Sequence, residues 1–100
     1  MSKKDKQDKI TRSARGKLCQ IRIPGVCNHD PETTVLAHLP GAGMALKHLS
    51  IHGSYSCSAC HDVVDFRVAY GWTNEQIKLA HHEGVIRTQI IMVDEGILVL

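Results

Sequence analysis

The stretch Cys57-Ser58-Ala59-Cys60-His61 separates two cysteines by two residues, directly before a segment with helical spacing of apolar side chains. A turn of this kind directs two thiolates to one centre about 2.3 Å away, which is the geometry of tetrahedral zinc. A second cysteine pair lies upstream, around the Pro24-Gly25 turn. The sequence therefore predicts one structural Zn²⁺ site, with Cys19, Cys27, Cys57 and Cys60 as its ligands.

Two other chemistries share the Cys-x-x-Cys spacing. A thioredoxin-like redox pair normally lies within a βαβ unit, and no such unit is predicted around Cys57. The motif also matches the c-type haem attachment sequence, which requires export of the chain. The polar start Met1-Ser2-Lys3-Lys4 does not resemble an export signal, and no apolar run approaches the roughly 18 residues that span a bilayer. We therefore expect a cytoplasmic protein without a membrane segment.

The apolar pattern predicts short strands at residues 18–23, 33–38 and 51–56, followed by a helix over residues 58–70. A long helix is predicted from Asn74 to Asp94, with Thr73 as its N-cap and Gln76 as the capping-box partner. Gly84 inside this helix costs about 1 kcal/mol relative to alanine unless a neighbour packs closely there. The alternative is a helix that ends at His82, followed by a strand over residues 85–93.

The charge of the 100-residue chain is unevenly distributed. Residues 1–17 contain seven Lys or Arg and two Asp, whereas residues 18–100 contain five Lys or Arg and eight Asp or Glu. We expect residues 1–11 to form a basic, disordered arm and residues 12–100 to form one zinc-binding domain. A basic arm suits the phosphates of nucleic acid, although a solvated tail that maintains solubility would have the same composition.

Three further residues are candidates for chemistry. His61 follows Cys60 on the predicted helix, so a rotation of about 100° turns its side chain away from the zinc site. Asp65 lies four residues later on the face of His61, and the two side chains could chelate a second divalent cation. A solvated surface pair is the other interpretation. His38 ends an apolar strand before a Pro-Gly loop, a position typical of an exposed functional side chain, although a lone histidine is more often structural.

The order of these motifs resembles that of the HNH endonucleases, whose ββα-metal core is a treble-clef zinc fold. The resemblance covers about residues 17–70 and depends on Ala37-His38-Leu39-Pro40 and Cys57-Ser58-Ala59-Cys60-His61. The segments 16–27, 36–38, 57–62, 83–84 and 87–89 are similar to a family of small proteins from lambdoid phages and prophages that are assigned as nucleases. Members of that family are similar in turn to a phage nuclease that depends on RecA.

The resemblance implies an α+β fold, in which a zinc-stabilised, treble-clef or HNH-like ββα core carries an added C-terminal helix. It implies a metal-dependent endonuclease that hydrolyses DNA phosphodiester bonds in phage recombination or DNA processing, inside a bacterial host. In that family pattern His38 is the general base, His61 a ligand of the catalytic Mg²⁺ or Mn²⁺, and Asp65 a second ligand. The implied partners are nucleic acid, with DNA favoured, and a RecA-like recombinase.

The sequence departs from the HNH pattern at two places. Many HNH enzymes have Asp or His as a metal ligand directly before the general base, where this chain has Ala37. The middle Asn that orients the base has no clear counterpart, and Ser50, His48 and His52 are the nearby candidates. A second function therefore remains open, namely a zinc-binding module that binds DNA or protein without catalysis.

Overall fold

The computed structural model describes residues 3–40, 49–69 and 71–99. The elements are α1 (Lys3–Arg12), a 3₁₀ turn (Pro31–Thr33), β1 (Val35–His38), a second 3₁₀ turn (Ser50–His52), β2 (Gly53–Ser56), α2 (Ser58–Val64) and α3 (Asn74–Asp94). This is a small α+β structure, as predicted. Among these described helices, none has the length and apolar composition needed to cross a membrane.

The sheet consists of β1 and β2, which pair antiparallel from Val35 opposite Ser56 to His38 opposite Gly53. Successive strand residues point to opposite faces, and the two faces of β1 contact different parts of the core. Leu36 packs with Ile10, Tyr55 and Met92 in one cluster. Ala37 packs in the other cluster, whose remaining buried members are Cys19, Ile21, Ile23, Cys57, Cys60, Val63, Val64 and Ile77.

Helix α3 packs along β2 and confirms the prediction of one long helix. The Thr73 and Gln76 capping box is present, and the alternative strand over residues 85–93 is wrong. The hydroxyl of Thr88 accepts a hydrogen bond from the backbone N–H of Tyr55 at 2.9 Å. A Cβ on Gly84 would lie 2.5 Å from Ser54 Oγ, so only glycine allows α3 to approach β2 this closely. This is the close neighbour that would offset the cost of a glycine inside the helix.

Four predicted elements differ in length or type, and the first strand of the sheet begins at Val35 rather than Thr33 because residues 31–33 form a 3₁₀ turn. Residues 18–23 do not form a strand, because Arg22 has a φ of 55° and turns the chain so that Ile21 and Ile23 are both buried. The second strand begins at Gly53, since residues 50–52 form a 3₁₀ turn. Helix α2 ends at Val64 rather than near residue 70, because Phe66 has a left-handed φ of 60°.

The prediction of a disordered basic arm over residues 1–11 is wrong for residues 3–11, which belong to helix α1; residues 1–2 lie outside the described residues. Ile10 is 5% exposed in the cluster around Tyr55. The side-chain oxygen of Gln7 accepts a hydrogen bond from the backbone N–H of Ser50 at 2.6 Å. The partners of Ile10 and Gln7 lie more than thirty residues further along the chain, so the apolar periodicity of residues 1–11 cannot reveal these contacts. Helix α1 is therefore part of the domain.

Substitution of Ile10 by alanine tests whether α1 contributes to folding. We expect Ile10→Ala to lower the free energy of unfolding by about 2–5 kcal/mol, because it removes buried apolar atoms and leaves a cavity. The control is Ile90→Ala on α3, where the side chain is 58% exposed and the expected change is within about 0.5 kcal/mol. Urea unfolding followed by circular dichroism measures both, and equal stabilities would mean that α1 is not docked.

Candidate metal centres

The four cysteines reach one point from two parts of the chain. Cys19 and Cys27 lie on either side of a turn in which the N–H groups of Val26 and Cys27 both donate to the carbonyl of Ile23. Cys57 is the N-cap of α2, and its sulfur accepts a hydrogen bond from the backbone N–H of Cys60 at 3.4 Å. All four sulfur atoms lie within 4.8 Å of one another.

This spacing fits a tetrahedral metal ion. Zinc–sulfur bonds of about 2.3 Å place neighbouring sulfur atoms about 3.8 Å apart, and the sulfurs of Cys27 and Cys57 lie 3.9 Å apart. None of the four cysteines is in a disulfide. The structure therefore brings together all four predicted ligands in an arrangement suited to a structural metal such as zinc, whose bound form would cross-link the turn to the start of α2.

The thiols share protons unequally in this cluster. A hydrogen bond from the Cys60 thiol lowers the pKa of Cys19 to about 4. The same hydrogen bond, together with burial, raises the pKa of Cys60 far above its ordinary value. Burial raises the pKa of Cys27 to about 11. Four sulfurs this close cannot all be thiolates without a cation, and a bound metal would replace the shared protons.

His61 and Asp65 form the second group of candidate ligands. Nε2 of His61 lies 3.0 Å from Oδ2 of Asp65, and the side chains are 27% and 31% exposed, so both are open to solvent. Arg67 also approaches the pair, with a guanidinium nitrogen 3.3 Å from Oδ2 of Asp65 and another 3.5 Å from Oδ1 of Asp62. The structure therefore brings the predicted i, i+4 pair together and places the guanidinium group of Arg67 beside it.

His38 lies at the end of β1, on the face that Leu36 shares with α1. Its Nε2 is 3.4 Å from the hydroxyl of Ser50. Ser50 is 4% exposed, and its hydroxyl is also 3.1 Å from the hydroxyl of Thr11 on α1. Of the three candidates to orient His38, Ser50 is thus in contact with it. His48 lies outside the described residues, and His52 is the last residue of the same 3₁₀ turn.

A further histidine, His81, was not predicted as a site residue. His81 of α3 is 2% exposed, and its Nε2 donates a hydrogen bond to the backbone carbonyl of Ala37 at 2.8 Å. Burial lowers the pKa of His81, and the charges of Asp65 and His61 act on it as well. In the sequence it occupies an apolar position of the α3 pattern; a histidine at such a position is the signal that could have identified it.

The lowered pKa of His81 predicts a loss of stability in acid. The unfolded histidine takes up a proton near pH 6.5 while the buried one stays neutral, so its contribution is complete above that pH and is lost as pH falls. One such group contributes at most about 1.4 kcal/mol per pH unit. The free energy of unfolding, measured with urea at pH 7.5 and 5.5, should therefore fall more between these pH values for the parent than for His81→Gln. The control is His82→Gln, a substitution of the exposed neighbouring histidine, which should show the same pH dependence of the free energy of unfolding as the parent. Metal content is measured at both pH values.

The cysteine cluster predicts one tightly bound metal ion per chain. We expect Cys57→Ser to lose the ion and most of the helical circular dichroism, because metal binding supplies folding free energy in domains of this size. Ala59→Ser adds the same hydroxyl between the two cysteines and should retain the ion. Metal content is measured by mass spectrometry of the purified proteins, and a fully metal-loaded, folded Cys57→Ser protein would contradict the four-cysteine site.

Comparison with known proteins identifies relatives along most of the chain. A family model described as "Putative nuclease YbcO" matches residues 8–97. The chain is 41% identical over 95 residues to the proteins of that name from Escherichia coli K12 and Enterobacteria phage 82, covering 89% of this chain and 95% of each relative. A solved structure described as a bacteriophage protein from Escherichia coli K-12 superposes with a TM-score of 0.73 and 42% identity, covering 86% of this chain and 98% of that one. The chain therefore belongs to the YbcO family of phage and prophage proteins, which are named as nucleases.

Proposed function

We propose that this protein is a metal-dependent endonuclease of the HNH type, with a treble-clef core, which hydrolyses DNA phosphodiester bonds in phage recombination or DNA processing in the host cytoplasm. The observation that carries the proposal is the His61–Asp65 pair, whose side chains meet at 3.0 Å on the helix that begins at the cysteine cluster. Membership of a family named as nucleases supports cleavage of nucleic acid.

His61 and Asp65 would hold the catalytic cation, Mg²⁺ or Mn²⁺. Such a cation, when bound, acts as a Lewis acid on the scissile phosphate and stabilises the leaving 3′ oxygen. Arg67 contacts the carboxylate of Asp65 at 3.3 Å. The rigid cysteine cluster would anchor the first turn of the same helix and so position both ligands.

His38 would take the proton from the attacking water. Imidazole exchanges protons near neutral pH, which suits it to general base catalysis. The hydroxyl of Ser50, 3.4 Å from Nε2, would orient the ring. Because Ser50 is also bonded to Gln7 and lies beside Thr11, helix α1 would hold the base in place as well.

The remaining features concern the substrate and partners. Lys9, Arg12 and Arg15 are exposed around the end of α1, next to the element that holds Ser50. Cations in this position would contact phosphates without reading the base sequence. DNA as the substrate and a RecA-like recombinase as a partner are proposed from the resemblance to phage nucleases.

A second function is favoured by one observation. The residue of β1 that faces α2 is Ala37, which is fully buried and contributes only a methyl group. The candidate cation would then have two protein ligands, one of which is already paired with Arg67. A zinc-binding module that binds DNA or protein without catalysis would have the same cysteine cluster and the same α1.

Plasmid nicking distinguishes the two functions. With Mg²⁺ or Mn²⁺ we expect the parent to nick supercoiled DNA and His38→Ala to lose about 10²- to 10⁴-fold in rate, the usual contribution of a general base. His61→Ala should also lose activity, and excess Mn²⁺ should restore part of it because only the cation affinity is reduced. Val35→Ala, an exposed position on the same strand, is the control for altered packing.

Metal content and circular dichroism accompany each variant, so that unfolding is not mistaken for a catalytic defect. Nicking by His38→Ala at the parental rate would contradict the general-base role. A folded, zinc-loaded parent that cleaves neither plasmid DNA, single-stranded DNA nor RNA would contradict the nuclease proposal and support the binding module.

A further inference from the structure

Phe66 has an unusual backbone for its residue type. It follows α2 with a φ of 60°; its N–H donates to the carbonyl of Val63 at 3.0 Å, and the N–H of Arg67 donates to the carbonyl of Asp62 at 2.9 Å. These two bonds form a Schellman motif, in which the left-handed position is usually glycine because a side chain is strained there. Phenylalanine therefore occupies a position that disfavours it.

Core packing does not explain the phenylalanine. Its side chain is 46% exposed, although large aromatic side chains stabilise a fold mainly by burial. A strained residue that its surroundings do not bury is a reason to look for a function. Phe66 directly follows Asp65 in the chain, at the end of the helix that carries His61.

The ring forms one wall of a small cavity. The cavity has a volume of about 200 Å³, and its other walls are Leu39, Pro40, Val64, Ile77, Lys78, His81 and His82. This volume is below the range of roughly 300–1,000 Å³ that is typical of drug-sized ligands. It suits a single flat ring that stacks on Phe66 between apolar walls.

The rim of the cavity is polar and basic. Lys78 and His82 are both exposed on α3, one helical turn apart. Nδ1 of His82 donates a hydrogen bond to the carbonyl of Lys78 at 2.8 Å, which makes Nε2 the acceptor nitrogen of that ring. An ammonium group and an acceptor beside a flat apolar slot match a phosphate and an N–H donor on the edge of a nucleobase, which every base has.

We propose that Phe66 and this cavity form a stacking site for one unpaired nucleobase beside the phosphate to be cleaved. The inference rests on the proposed nuclease function and specifies its substrate class as single-stranded or locally unpaired nucleic acid. Bases of any identity present a flat face to an aromatic ring, so the site selects unpaired structure over sequence.

Binding of a fluorescein-labelled oligothymidylate, measured by anisotropy without added divalent cation, tests the proposal independently of cleavage. Phe66→Gly should weaken binding by about 5- to 150-fold, the range that corresponds to loss of one stacked base. The same variant should unfold at a higher urea concentration than the parent, because glycine relieves the left-handed backbone. Phe66→Trp should retain binding, since it restores a flat ring.

Two controls separate stacking from charge and from general surface effects. An abasic oligomer of the same length should bind equally to the parent and to Phe66→Gly. Leu79→Ala removes an apolar side chain that is 60% exposed on α3 and does not line this cavity, and it should bind as the parent does.

Parental oligothymidylate binding by Phe66→Gly would overturn the stacking site, as would an equal loss of affinity for the abasic oligomer. Absence of cleavage by the parent, combined with Phe66-dependent binding, would contradict the nuclease function and leave the stacking site standing. The two failures are therefore distinguishable.

Discussion

The convergence of four sulfur atoms within 4.8 Å is the constraint on which the rest of this structure depends. A sheet of two four-residue strands is only marginally stable in isolation. The cysteines join the turn around Pro24-Gly25 to the first turn of α2, and the buried residues Ile21, Ile23, Val63 and Val64 pack around that junction. A metal ion held there would replace much of the core that a chain of this size cannot build.

Two helices far apart in the chain complete the domain by packing against the sheet. Helix α1 inserts Ile10 into the cluster with Tyr55 and Met92, and it contacts Ser50 through Gln7 and Thr11. Helix α3 lies against β2, where the absence of a side chain at Gly84 allows the close approach. Both helices therefore fix the strand that carries His38. Helix α3 does so also through His81, which donates a hydrogen bond to the backbone carbonyl of Ala37, the residue before His38.

This arrangement divides the proposed chemistry between the two faces of β1. His38 shares the face of Leu36 and contacts Ser50, whereas Ala37 faces the cysteine cluster and α2. His61 lies on α2 and Asp65 is its C-cap, and Phe66 and Arg67 follow directly in the chain. In the proposed nuclease, the general base, the cation-binding pair and the aromatic ring therefore come from separate elements of the fold.

Features that depend on local spacing could be predicted from the sequence. The Cys57-x-x-Cys60 turn, the i, i+4 relation of His61 and Asp65, and the capping box at Thr73 each depend on residues within four positions, so backbone geometry alone determines them.

Tertiary packing decided the remainder. Residues 3–11 carry no apolar periodicity, yet form a helix because Ile10, Gln7 and Thr11 find partners some forty residues away. Residues 18–23 resemble a strand in composition, but Arg22 reverses the chain so that Ile21 and Ile23 enter one cluster. The position of His81 in the α3 pattern indicates a buried histidine, but its partner was hidden, because a hydrogen bond to a carbonyl 44 positions away leaves no periodic trace in the sequence.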